Sequence, residues 1–207
     1  MARTPKVVED RKEQIIDAAM RVFAQKGFTR ATNKDIAREA GITPGLIYYY
    51  FESKEAVLKA IIEQRSPLRL MGSLSAEMLA MPPEIFLRFL IRQLLGIVES
   101  EQFIGLIRVL LPEVMHDVGY DDSHIVQTAR GAFQRIGGFL SQYLEAKIAS
   151  GELRPFDVLS RTQLLISGVI GFVLRRQILR DPTVLVLTHE QIAKVIANTV
   201  VNDLGPG

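Results

Sequence analysis

TNKDIAREAGITPGLIYYYF, residues 32–51, decides how this chain is read. It spells two short helices around a glycine. Thr32 is a good N-cap, and Asp35, three residues on, is its capping-box partner in place of the usual Glu or Gln. Ile36, Ala37 and Ala40 form the apolar face of the first helix, and Gly41 stops it. After Ile42, Thr43 is a second N-cap and Pro44 takes the first helical position. The second helix ends near Phe51. A pair of short helices with a glycine turn is a helix-turn-helix candidate, in which the first helix braces across a DNA backbone and the second enters the major groove. Ala37 is small where the two must cross, and Ile42 plugs the core behind the turn.

The second helix carries three tyrosines in a row. Successive helical residues lie about 100° apart, so the three cannot share a direction. With Ile47 and Phe51 facing the core, Tyr49 points away from it. Gly45 and Leu46 share its outward face, and Tyr48 and Tyr50 fall on the flanks. Gly, Leu and Tyr between two tyrosines make a poor face for plain solvent. They suit a groove, where central residues meet base edges and flanking hydroxyls reach phosphates.

Helical periodicity extends outward from this core. In RKEQIIDAAMRVFAQKGF, residues 11–28, the stripe is Ile15, Ile16, Ala19, Val22 and Phe23. Gly27 ends that helix, and Phe28 folds back on it. Ser53 caps a helix with Val57, Leu58 and Ile61 inward, which stops at Ser66-Pro67. Further helices are expected near 84–99, 101–117, 123–150, 157–179 and 189–204. Pro112 should kink or break the second of these, and PTVLVL, 182–187, reads as a connector. The fold class is all-α, with about nine helices: a three-helix N-terminal domain at 1–65 and a larger helical domain at 66–207.

The 207 residues are 48% hydrophobic and include no cysteine. That excludes disulfides, a thiolate nucleophile and cysteine-ligated zinc. The N-terminus has no apolar secretory core, and LLISGVIGFVL, 164–174, is too short to span a bilayer. A soluble, cytoplasmic protein with no membrane partner is expected. Residues 1–65 hold 12 Lys/Arg against 9 Asp/Glu, and the rest 13 against 14, a mild basic bias of the first domain. Glu113 and His116, with Asp117, Asp121, Asp122 and His124, have metal-ligand chemistry. Helical di-iron sites need two Glu-x-x-His motifs and further carboxylates, and this chain has one. No metal, cofactor or catalytic residue is expected, and no Ser/His/Asp order suggests an enzyme.

Residues 11–62 resemble the DNA-binding domain of the tetracycline-repressor (TetR) family of bacterial transcription regulators. The likeness lies in AAMRVFAQKGF, T-x-x-DIA-x-EAGI and G-x-IYYYF-x-SKEAVLKAI, in order and at matching spacing. It implies a cytoplasmic, nucleoid-associated regulator of double-stranded DNA. By position, the resemblance gives Thr32 and Lys54 phosphate contacts and Lys34 a base or phosphate contact. Thr43, Pro44 and Gly45 bring backbone close to DNA. Tyr48 is the family's near-standard tyrosine, Tyr49 sits at its variable reading position, and Tyr50 stands where histidine is common. Arg3 and Lys6 would add arm contacts. Leu46 departs from the pattern, since a small hydroxyl residue is usual there. A leucine in the groove cannot hydrogen-bond but packs on a thymine methyl, which predicts a T·A pair beneath it.

The larger domain resembles the family's effector-binding and dimerisation domain, whose sequence diverges too far for residue roles to transfer. Residues 160–178 are apolar nearly all round and should be buried on several sides. Gly168 and Gly171 permit close approach of another helix. The resemblance implies a homodimer held by two C-terminal helices. Gly168, Ile170, Gly171, Leu174, Ile192, Ile196 and Val200 are the expected interface. Such symmetry suits a palindromic operator. Met71, Met78, Phe86, Phe89, Phe103, Ile107, Met115 and Phe133 are the candidate lining of a pocket for a small, largely apolar effector that relieves operator binding.

Overall fold

A computed structural model describes residues 5–116 and 124–201, except the side chains of residues 5–7, Glu113 and His116. Every regular element among them is helical. They are α1 (Pro5–Lys26), α2 (Asn33–Glu39), α3 (Pro44–Tyr50), α4 (Lys54–Arg65), α5 (Leu68–Met71), α6 (Ala76–Leu79), α7 (Pro83–Val98), α8 (Glu101–His116), α9 (His124–Ala149), α10 (Val158–Val173), α11 (Pro182–Leu185) and α12 (His189–Val201). A π-helical turn, Leu174–Ile178, continues α10. Nine of the α-helices run to seven residues or more. The others, α5, α6 and α11, are four-residue turns, and α11 falls in the stretch read as a connector.

The described residues pack as two compact units, one drawn from 1–66 with 101–131 and one from 67–100 with 132–207. In the first, Ile15, Ile16 and Phe23 of α1, Ile36 of α2, Ile47 of α3 and Leu58 of α4 are all fully buried. Gly27 takes the left-handed conformation, φ 76°. Phe28 then folds back edge-on to Phe23, with ring centroids 5.1 Å apart. At the far end of α4, Arg65 reaches α1, pairing with Glu13 and, at 2.8 Å, with Asp17.

Of the kink or break expected at Pro112, the break does not occur: helix α8 runs on to His116. A proline inside a helix costs about 3 kcal/mol. Here Leu106, Val109 and Leu110 are buried and α8 packs on α1 and α4, so tertiary burial outweighs the local penalty.

In the second unit, α7 buries Phe86, Leu87, Leu90, Ile91, Leu94, Leu95 and Val98. Its main partner is α12. Arg88 pairs with Glu190 across the two helices. Glu99, just past α7, gathers the π-turn and the start of α12. His189 Nε2 is 2.9 Å from one carboxylate oxygen, and Arg176 Nε is 2.7 Å from the other, a charge contact outside hydrogen-bond geometry.

The stripe of α12 requires a second correction. Ile192, Ile196 and Val200 are buried inside this unit by α7 and α10, so they are core and not a surface for another chain. Val195, on the opposite side of α12, is 62% exposed. Gly168 is likewise used internally, because a Cβ there would stand 3.4 Å from Ile196 Cδ1. Gly171 faces open space. Helix α10 was expected to be buried on several sides, yet only Thr162, Leu165 and Val169 are buried along it.

Ile192→Ala therefore should lower unfolding free energy by about 2–5 kcal/mol, as for other buried aliphatic truncations. Urea melts measure the loss, and sedimentation should show an unaltered oligomeric state.

Candidate nucleic-acid interface

The site is built from the N-terminus of α2. Thr32 Oγ1 accepts from the Asp35 backbone N–H at 3.2 Å, and the Asp35 carboxylate accepts the Thr32 N–H at 3.2 Å. The capping box predicted from sequence is complete; such caps contribute about 1 kcal/mol. Lys26 Nζ, at 2.6 Å, ties the same carboxylate to the end of α1. Hydrogen bonds from Lys26 and then Thr32 hold the Asp35 carboxyl down at about 2. It therefore stays ionised at any physiological pH, and the cap stays closed.

The other end of α2 closes with equal economy. Gly41 adopts φ +64°, and a Cβ there would meet nothing within 4 Å. The glycine is needed for its backbone angle and not for space. Gly41 N–H donates to Arg38 O at 3.2 Å and Ile42 N–H to Ala37 O at 3.0 Å. These are the two bonds of a Schellman turn. Gln14 of α1 donates its amide to Ala40 O at 2.7 Å. The turn that aims α3 is thus fixed to α1.

Helix α3 is seven residues long, with Pro44 first and Phe51 as its C-cap. Ile47 and Phe51 are buried, as the 100° spacing requires. Tyr49 is 69% exposed and Tyr48 59%. The flanks are unequal, because Tyr50 is half-buried and lies edge-on to Tyr49, with centroids 5.0 Å apart. Leu46 is half-buried, less open than the helical wheel alone suggests. Gly45 is exposed with φ outside the left-handed region, and a Cβ there would meet nothing within 4 Å. Neither backbone nor packing demands a glycine at 45, so its bare surface leaves room for something outside the chain. Thr43 caps α3 by position without a side-chain cap hydrogen bond, and it is exposed. Thr32 and Lys34, both exposed, mark the start of α2.

Lys54 is a correction. Its ammonium donates to Phe28 O at 2.8 Å, Ala31 O at 3.0 Å and Thr29 O at 3.2 Å, and stands 4.4 Å over the Phe28 ring. A lysine has three N–H donors; all three serve the α1–α2 connector, and none is left for a phosphate. Local pattern could not reveal this, because the acceptors lie 23 to 26 residues away.

The candidate effector residues divide between the two units. Phe103, Ile107 and Met115 belong to the first unit; Met71, Met78, Phe86, Phe89 and Phe133 belong to the second. Phe86 is core, 4.4 Å from the Tyr143 ring, while Met115 and Phe133 are exposed. The sequence reading missed a cavity of about 400 Å³ near the C-terminal end of α9, next to Lys147. Arg3, the side chain of Lys6, Glu113, the His116 side chain, Asp117, Asp121 and Asp122 lie outside the described residues.

Two capped helices with a fixed glycine turn, the second offering an open Gly-Leu-Tyr face, define a helix-turn-helix DNA-binding domain. Residues 15–61 match the family model described as bacterial regulatory proteins, tetR family. The HTH-type transcriptional regulator SrpR of Pseudomonas putida is 29% identical over 181 residues, 82% of this chain and 78% of that one. HbdR of Aromatoleum sp. (strain CIB), another HTH-type transcriptional regulator, is 48% identical over 54 residues, 26% of this chain and 24% of that one. The solved SmeT–triclosan complex superposes with a TM-score of 0.73 at 23% identity, covering 94% of this chain and 93% of that one. Residues 15–61 thus form a tetR-family DNA-binding domain, and over most of its length the chain is similar to HTH-type transcriptional regulators.

The two lysines separate by salt dependence. Lys34→Ala should reduce the slope of log affinity against log salt on duplex DNA by about 1, the signature of a lost phosphate contact. Lys54→Met should lower the melting temperature and weaken binding while leaving that slope unchanged. A slope reduced by Lys54→Met would return Lys54 to the phosphate backbone.

Proposed function

We propose that the chain is a dimeric repressor that occupies a palindromic operator and releases it when a small, largely apolar effector binds. Thr32, Lys34, Thr43, Pro44, Gly45, Leu46, Tyr48, Tyr49 and Tyr50 make the DNA contacts. The start of α2 and the flanking tyrosines hold phosphates, and Leu46 and Tyr49 meet base edges.

The observation that carries the dimer is the outer face of α10 and its π-turn. Leu159, Leu164, Ile170, Leu174 and Ile178 are all large, apolar and exposed. Residues 170, 174 and 178 follow one i, i+4 ridge, the kind that seats in the groove of a crossing helix. Gly171 beside them leaves its space open, which lets a second helix approach. A face of this size is not left to water in a lone chain. Val158–Ile178 is also long and apolar enough to cross a membrane by length and composition. A second copy is the better cover, because two α3 helices on one symmetry axis are what a palindrome needs.

Repression requires only that the protein cover its DNA, whereas activation requires a further surface for the transcription machinery. A protein of the same fold, SmeT, is known as a triclosan complex. That supports an apolar effector here. Relief then follows by population shift, with the effector binding better to a dimer whose two α3 helices no longer match the half-site spacing.

Ile170→Arg tests the assembly. The variant should sediment as a monomer and lose about two orders of magnitude or more in affinity for an operator selected from random duplexes, because avidity from the second half-site is gone. An unchanged dimer would remove α10 from the interface.

A further inference from the structure

Tyr49 is 69% exposed, yet its ring has a neighbour. The Tyr50 ring stands edge-on to it, with centroids 5.0 Å apart and planes at 86°. This is an arrangement that aromatic quadrupoles favour. Helical spacing does not supply it. Side chains at i and i+1 leave a helix about 100° apart and do not face each other. The contact therefore depends on how the two rings are turned. Tyr50 is the one held by the fold. It is half-buried at the last position of α3, where the chain leaves the helix through the buried Phe51 at φ −140°, ψ 124°. Tyr49 meets it from the open side.

The contact bears on recognition. An exposed tyrosine turns about two side-chain torsions, and docking it in one pose on a base costs that freedom. A ring already seated against a neighbour has given up part of it before DNA arrives. It is also less able to swing aside from a base pair it does not fit, so a wrong pair is penalised more steeply. Such support needs the ring of Tyr50 and not its hydroxyl. A phosphate contact needs the hydroxyl and not the ring. The two roles are therefore separable by substitution.

We propose that Tyr50 is a positioning residue for base recognition: its half-buried ring holds the Tyr49 ring in the pose that meets a base edge, and so sharpens discrimination at the pair beneath Tyr49. This role rests on Tyr49 being a base reader, as proposed above.

The experiment uses the full chain and an operator selected from random duplexes. Affinity for every single-base variant is measured for the unaltered protein, Tyr49→Ala, Tyr50→Phe and Tyr50→Leu. Tyr49→Ala locates the pair that Tyr49 reads. Tyr50→Phe keeps the ring, and should hold discrimination at that pair within about twofold even where the lost hydroxyl weakens all sequences alike. Tyr50→Leu removes the ring, and should cut discrimination there about three- to tenfold, the worth of one edge-on aromatic pair, with the profile at other pairs unchanged. A loss of stability alone would weaken every sequence together and leave that ratio intact. In the free chain, NMR couplings between the α and β protons of Tyr49 should report one χ1 rotamer in the unaltered protein and in Tyr50→Phe, and averaging among rotamers in Tyr50→Leu.

Discrimination unmoved by Tyr50→Leu, or a Tyr49 side chain equally ordered in that variant, would overturn the positioning role and leave Tyr49 as reader. A Tyr50→Phe profile as flat at that pair as the Tyr50→Leu profile would assign the effect to the hydroxyl and overturn it as well. If Tyr49→Ala flattens no pair, Tyr49 is not a reader and both readings fall.

Discussion

A seven-residue helix cannot hold itself together in water. Helix α3 and its C-cap have two buried residues, Ile47 and Phe51, with Leu46 and Tyr50 half-buried and the rest open to the outside. Its direction must therefore be set by its surroundings. The left-handed Gly41, with its paired turn bonds, fixes the angle at which α3 leaves α2. The Asp35 carboxylate ties α2 to α1, and Gln14 holds the carbonyl of Ala40, the C-cap of α2. Lys54 pulls the start of α4 onto the connector that leads into Thr32. These contacts make a rigid frame from short pieces, and the exposed Gly45, Tyr48 and Tyr49, with the half-buried Leu46 among them, are its product.

The frame also explains the composition of that face. A residue that the fold does not need is informative only if its alternatives would have fitted. Gly45 satisfies that test, since its backbone is ordinary and its surroundings are empty. The exposed tyrosines satisfy it too, because a soluble surface has no use for two adjacent large rings. DNA has a use for all three features: bare backbone near phosphate, an apolar contact for a thymine methyl, and hydroxyls at the rim.

What the sequence makes legible is local. The Thr32–Asp35 cap, the Gly27 and Gly41 stops, the inward pair on α3 and the bounds of the long helices all depend on residues a few positions apart. What it hides is the choice of partner. Periodicity shows that α12 has an apolar stripe, but not that α7 covers it. Composition shows that α10 is apolar all round, but not that most of it stays uncovered within one chain. Lys54 sits at a helix N-terminus, where a cation wants an anion nearby. Three carbonyls far back in the chain answer that need as well as a phosphate would. Phe86 and Phe133 are alike in sequence, and packing alone sends one to the core and the other to the surface.

The central claim is that the outward face of α3 reads bases, with Leu46 writing part of the preference. The most direct measurement is the affinity of every single-base variant of a selected operator for the unaltered chain and for Leu46→Thr. The account predicts a T·A preference at one pair per half-site for the unaltered chain, about 1–3 kcal/mol deep. That preference should be lost or changed at the same pair in the variant, and nowhere else. Identical profiles for the two proteins would contradict it.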